Sequence, residues 1–287
     1  MLKQRVSLKN VSSVAASTTV VIECPVGPRY HYIQLQHGYA SGTNTIAAAA
    51  TNISEIRVKV NGRVQRTMSG TQLRALNILN GSVYDAVASE VPNTAPGVSF
   101  HIHFAEPWRK DARDQDALAW PTNKFASMQI EVDLSTGTTP TLVAWAVVDQ
   151  FQPDSVPQIC KWIRQSFSAS GTSFDISTLD RRDWYTQISL FDPTIANSGY
   201  QDLITVRKDG RILHELKQGA NHSLLFNHGM TPVATRYDIV FDHDDLLGSA
   251  VNMNGAGDLN INVATSAANA TMTGTLTAII QRIGPPE

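Results

Sequence analysis

The stretch from Ile56 to Val64 reads IRVKVNGRV, and the stretch from Ile204 to Ile212 reads ITVRKDGRI. Each is a strand, a two-residue Asn-Gly or Asp-Gly turn, and a second strand. These dipeptides suit a type I′ turn, in which both central residues need φ > 0 and the turn twists as paired strands twist. The two copies lie 148 residues apart (56 to 204). The same spacing pairs Val58 with Val206, Leu76 with Leu224 and Gly81 with Gly229. Further segments match at other spacings, as loops of unequal length require. YIQL from Tyr32 resembles YTQI from Tyr185, FHIHF from Phe100 resembles YDIVF from Tyr237, and MQIEV from Met128 resembles LNINV from Leu259. All four pairs run in the same order in both halves, which marks a repeated unit of architecture.

The segments between them read mainly as strands. Val20–Cys24 is β-branched and stops at Pro25. Tyr30–Gln36, Met128–Leu134 and Leu142–Val148 are strand-like. Val98–Phe104 alternates strictly, with Val98, Phe100, Ile102 and Phe104 on one face and His101 and His103 on the other. His37–Asn52 is Gly-, Ala-, Ser- and Thr-rich and reads as a long exposed loop, with a shorter counterpart at Asp192–Gln201. Thr71–Leu79 fits a helical turn or a strand. Lys161–Phe167 fits a bridging helix or a first strand. Phe151–Pro157, with two prolines, reads as a linker. The fold expected is all-β: two tandem eight-stranded jelly-roll β-sandwiches, a double jelly roll, over residues 1–152 and 153–287.

Bulk properties narrow the function. A chain of 287 residues, 42% hydrophobic and 17% charged, can bury two cores. A net charge of −2 argues against general nucleic-acid binding. No apolar run reaches the ~20 residues of a membrane span, and no signal peptide is apparent, so a soluble protein is expected. Cys24 and Cys160 fall one in each half without metal spacing and are expected reduced and buried. The first 18 residues, with Lys3, Arg5 and Lys9, read as a solvated arm, or as one that touches a neighbouring subunit or an anionic lipid surface.

Catalytic motifs are missing: there is no nucleophile elbow, P-loop or dinucleotide fingerprint. His101, His103 and Glu106 have the strand spacing of a cupin-like metal site. The alternation turns both histidines outward, however, away from a barrel interior. Asp242, Asp244 and Asp245 follow the strand ending at Phe241 and are candidate calcium ligands, with a solvated acidic loop as the plainer reading. Asp111, Asp114 and Asp116 carry the same ambiguity. Trp108, Trp120 and Trp184 suit subunit contacts, and equally core packing or loop anchoring.

LKNVSSVAA (Leu8–Ala16), CPVG-x-x-Y (Cys24–Tyr30), the hairpin ending Asn-Gly-Arg, Val98–Phe104 followed by Pro107, and Trp162-Ile163 after the linker resemble the major capsid protein of corticoviruses, membrane-containing icosahedral phages. That resemblance implies a double jelly roll and a non-enzymatic role. It also implies homotrimers that tile an icosahedral virion shell over an internal membrane, beside other virion proteins such as the penton, assembled in the host cytoplasm. Calcium binding is implied without assigning a ligand residue. The alternatives are a glycan- or receptor-binding spike sandwich and a cupin-like metalloprotein.

Overall fold

A computed structural model describes residues 2–9, 11–39, 46–81, 98–135, 140–191, 202–233, 236–265 and 272–287. Most of the loop from His37 to Ile46 and the whole of Asp192–Gln201 lie outside the described residues. The chain divides into two compact units, Met1–Cys160 with Pro285–Glu287, and Lys161–Gly284.

The first unit runs β1 (Gln4–Leu8), β2 (Thr19–Cys24), β3 (Arg29–Tyr39), α1 (Ile46–Asn52), β4 (Ile53–Val60), β5 (Arg63–Met68), α2 (Gly70–Leu79), β6 (Val98–His103), α3 (Ala112–Gln115), β7 (Trp120–Pro121), β8 (Met128–Leu134) and β9 (Pro140–Asp149). The strands form two sheets, β1-β9-β3-β6, with β7 on β3, and β2-β8-β4-β5. The chain changes sheet at nearly every step, and its first strand lies beside its last, which is jelly-roll connectivity.

The second unit runs β10 (Ile159–Gly171), β11 (Ser173–Ile176), β12 (Trp184–Phe191), β13 (Leu203–Lys208), β14 (Arg211–Lys217), α4 (Gln218–Asn227), β15 (Arg236–Val240), β16 (Val251–Asn252), β17 (Leu259–Ala264) and β18 (Met272–Gly284). Its sheets are β10-β18-β12-β15, with β16 on β12, and β11-β17-β13-β14. Strand for strand this is the order of the first unit. Lys161–Phe167 is therefore strand, part of β10.

Alternation builds both cores. Val20, Ile22, Ile33, Leu35, Ile56, Val58, Phe100, Ile102, Ile130 and Val132 are buried in the first unit. Tyr185, Ile188, Leu190, Ile204, Val206, Tyr237, Ile239, Ile261 and Val263 form the second core. Each such aliphatic or aromatic side chain contributes roughly 1.5–3 kcal/mol by leaving water. The opposite faces carry charge: Arg57 on β4 bonds Glu131 at 2.8 Å and Asp133 at 2.7 Å on β8.

The two hairpins match in detail. Asn61 and Gly62 have φ of 52° and 79°, and Asp209 and Gly210 have 50° and 75°, the type I′ signature. Each first strand pairs with its return strand through a register shift at the same place, Val58/Lys59 and Val206/Arg207. The apex side chain also docks on the next strand. Asn61 Oδ1 accepts the amides of Ala126 (2.7 Å) and Ser127 (3.2 Å), and Asp209 Oδ1 accepts those of Gly257 (2.8 Å) and Asp258 (3.0 Å).

One expected correspondence shifts. Ile33 faces Ile102 and Ile188 faces Ile239, so β3 matches β12 at a spacing of 155 (33 to 188). Tyr185 is thus the equivalent of Tyr30, not of Tyr32. Both hydroxyls donate to a carbonyl five residues earlier, Tyr30 to Pro25 at 2.7 Å and Tyr185 to Asp180.

The helices also depart from expectation. Ile46–Asn52 is helical rather than loop, and Gly70–Leu79 is helical without ambiguity. Ser69 Oγ accepts the Gln72 amide (3.1 Å) while Gln72 Oε1 accepts the Ser69 amide (2.9 Å), a capping box that starts α2. Alanine gives α1 its helix propensity. A seven-residue helix is too short to persist alone, and packing of Ala49 and Ala50 against the start of α2 holds it. Gly70 permits this approach, because a Cβ there would lie 2.6 Å from the Ala50 carbonyl oxygen.

Two expectations follow for urea unfolding. Gly62→Val and Gly210→Val each cost about 1–2 kcal/mol from the left-handed backbone alone, since nothing lies within 4 Å of either added Cβ. Gly70→Ala, a substitution that would ordinarily favour a helix, costs about 1–3 kcal/mol through overpacking.

Candidate functional site

The outer face of the β1-β9-β3-β6 sheet gathers the most unusual side chains of the first unit. The cause is a bulge in β3. Tyr30 pairs with Val148 and Tyr32 with Val147, so His31 is an extra residue opposite β9. Bulges re-aim side chains. Here the His31 carbonyl accepts the amides of Phe104 and Ala105, both at 2.8 Å, and its ring is buried between two carboxylates. Nδ1 lies 3.0 Å from Asp116 Oδ1 and Nε2 lies 2.8 Å from Asp149 Oδ2.

Each carboxylate is anchored again. Arg29 grips Asp149 with Nε at 3.1 Å and a terminal nitrogen at 2.5 Å, and the Phe151 amide donates at 2.9 Å. The guanidinium also covers the Phe151 ring at 4.6 Å. Lys3 Nζ meets Asp116 at 3.0 Å. The network therefore ties the start of the chain, the loop after β6, β3 and the end of β9 into one piece. The N-terminal segment is not a free arm: Gln4–Leu8 is a strand on β9. Burial pushes the Asp149 carboxyl up, but the hydrogen bonds from Arg29, Phe151 and His31, with the Arg29 charge, outweigh it and hold the group well below the usual carboxylate range.

His101 and His103 lie on the face opposite Phe100 and Ile102, as the alternation requires, yet they are buried rather than solvated. Their ring centroids stack 5.8 Å apart, with Tyr32 against both and the Trp108 ring nearly perpendicular to His103 at a centroid distance of 5.4 Å. Burial, then His101 and Arg66, pull the His103 imidazole down to about 3, so it is neutral at neutral pH. A cavity of about 280 Å³ opens beside them, bordered by Lys3, Arg5, His31, Tyr32 and Asp116. Glu106, the third residue of the cupin-like pattern, turns instead to Arg109 at 2.5 Å. Trp120 is fully buried on Phe104, with ring centroids 4.5 Å apart, whereas Trp184 is partly exposed.

The other acidic candidates serve their own loops. Asp111 caps α3 by accepting the Arg113 amide at 2.8 Å. Asp244 accepts Ser249 Oγ at 2.6 Å and the Leu246 amide at 3.2 Å. Asp245 has φ of 64° and its amide donates to the Asp242 carbonyl at 2.9 Å, closing a turn. Among the described residues no three His, Cys, Asp or Glu side chains converge as a metal site needs. Cys24 and Cys160 are both buried and form no disulfide, and burial, then the charge of Glu23, pushes Cys24 up to about 12. No helix among the described residues is long and apolar enough to cross a membrane.

Sequence reasoning missed His31, Asp149 and Arg29. Their signal is weak: an Arg-Tyr-His-Tyr run shows nothing of a bulge.

Comparison with known proteins gives a consistent result. A family model described as the viral coat protein P2 N-terminal domain matches residues 5–150, and one described as the viral coat protein P2 C-terminal domain matches residues 160–283. No curated protein sequence matches the chain. Among solved structures, the major capsid protein P2 from bacteriophage PM2 is 19% identical, with a TM-score of 0.78 over 99% of this chain and 98% of that one. The STIV MCP is 12% identical, with a TM-score of 0.70 over 99% and 96%. PBCV-1 VP54 is 11% identical, with a TM-score of 0.67 over 98% and 93%. At these identities the likeness is one of fold, and the fold is the double jelly roll.

The His31 network predicts a specific acid response. Removing one partner of a buried ion pair strands the other, so Asp149→Ala costs about 3 kcal/mol at pH 7. The folded carboxyl is depressed, so its contribution is complete above about pH 4, the unfolded value, and is lost as pH falls through the folded one. Urea unfolding of wild type and variant at pH 7 and at pH 3 should show the gap narrowing at the lower pH.

Proposed function

The chain belongs to the viral coat protein P2 family, and we propose that it is a major capsid protein that acts as a homotrimer, the tile of an icosahedral virion shell. The observation that carries this reading is the strand-for-strand duplication. Two sandwiches of one design in a single chain let three copies present six similar sandwiches around a ring, so a trimer fills a hexagonal position. The role is structural and non-enzymatic. The buried side chains of the His31 network are engaged with one another, an arrangement suited to holding loops still rather than turning over a substrate. Neighbouring capsomers, a penton protein and an internal membrane are the partners this role supplies, with assembly in the host cytoplasm.

Stable contacts between such tiles bury roughly 1,200–2,000 Å² each. Light scattering of the purified protein, in calcium and again in EDTA, should give the mass of three chains in at least one condition. A monomer at every concentration in both would overturn the proposal.

A further inference from the structure

The two units share a design but differ at one edge. In the second unit β14 ends its sheet, pairing among the described residues only with β13. It exposes Ile212 and Leu213 by 53% and 37%, and Phe226 on the adjoining α4 is exposed by 57%. An exposed apolar edge strand is an open template for pairing, and proteins normally blunt or cover it. The equivalent strand of the first unit, β5, is covered. Gln65, the counterpart of Leu213 at the spacing of 148, is fully buried and exchanges hydrogen bonds with the Glu287 backbone. Arg66 is also buried, and its Nε donates to the Cys160 carbonyl at 2.8 Å.

The covering segment identifies the occupant. Ile159 and Cys160 open β10. Strand β10 sits beside β18 as β1 sits beside β9, so β10 is the counterpart of β1. A β5-type edge is thus covered by the start of a β1-type strand. The one remaining β5-type edge is β14, and the one remaining β1-type strand is β1 itself. We propose that the edge formed by β14 and Phe226 receives the N-terminal strand β1 of a second copy of this chain. The chemistry matches. Leu2, two residues before β1, is 79% exposed and offers an apolar side chain to Ile212, Leu213 and Phe226. Arg5 is an exposed cation on β1, and Glu215 an exposed acid on β14. Each copy carries one donor and one acceptor, so the contact is head-to-tail and a ring of three closes it.

This interface rests on the coat-protein reading, and its test separates the two. In the full chain, Leu2→Cys combined with Leu213→Cys should give covalent dimers and trimers on a non-reducing gel. Neither single variant should do so, because Cys24 and Cys160 are buried. Ile212→Glu with Phe226→Glu, confirmed folded by circular dichroism, should shift the trimer towards monomer, with association at least tenfold weaker. If the wild type is trimeric but the cross-link fails to form, β1 is not the occupant. If the wild type is trimeric and the glutamate variant associates as tightly, this edge is not the interface. In either case the proposal is overturned while the coat-protein reading stands. A monomeric wild type overturns both.

Discussion

The hairpin apex fixes three strands at once in each unit. A type I′ turn sets the register of the two strands it joins. The side chain of its first central residue then accepts two successive amides at the start of the neighbouring strand, Ala126 and Ser127 in one unit, Gly257 and Asp258 in the other. That strand can pair only in the frame the apex allows, with Val60 opposite Met128 and Lys208 opposite Leu259. A slip of one residue would turn every core side chain outward. Asn and Asp both satisfy the requirement, because each offers a carbonyl or carboxylate oxygen and tolerates a positive φ. The two sequences could therefore drift while the geometry stayed.

The same bulge serves two chemistries. At Tyr30/Tyr32 and at Tyr185/Gln187 an extra residue interrupts the pairing with the last strand of the unit. In both units its carbonyl accepts the amide of an equivalent phenylalanine, Phe104 or Phe241. The first unit places histidine there and builds the Asp116–His31–Asp149 network around it. The second places Thr186, whose hydroxyl donates to the Gln281 carbonyl at 3.3 Å. Its charged cluster forms elsewhere, with Asp180 bonded to Arg182 and Arg282. The backbone device is common, and the electrostatics laid on it are particular to each unit.

That difference explains what was legible in the sequence. Strands such as Met128–Leu134 could be read because apolar residues alternate and turn residues bound them. The duplication could be read because Asn61-Gly62 and Asp209-Gly210 need an unusual backbone. The Tyr32–Tyr185 pairing was misplaced because a bulge breaks the two-residue period, leaving Tyr30 in the core and Tyr32 on the outer face. The helix at Ile46–Asn52 was hidden by composition: small uncharged residues resemble a loop, yet they let α1 approach Gly70. The Ser69–Gln72 capping box was present and is a recognised start signal. The outward histidines were placed on the correct face, but the alternation of one strand cannot show that Trp108 and the loop after β6 return to bury them.

Duplication also explains why one edge differs from its counterpart. Within each unit the two sheets end on four strands, and those like β1 and β5 are the ones that concern this edge. In the first unit, residues Ile159–Cys160 meet β5, where Arg66 Nε donates to the Cys160 carbonyl. In the second unit β14 leaves Ile212 and Leu213 exposed. Burying Ile212, Leu213 and Phe226 would contribute roughly 25 cal/mol for each Å² of apolar surface removed from water. A monomer cannot gain that within its own fold. Closed association of identical chains through the proposed contact would gain it at every copy.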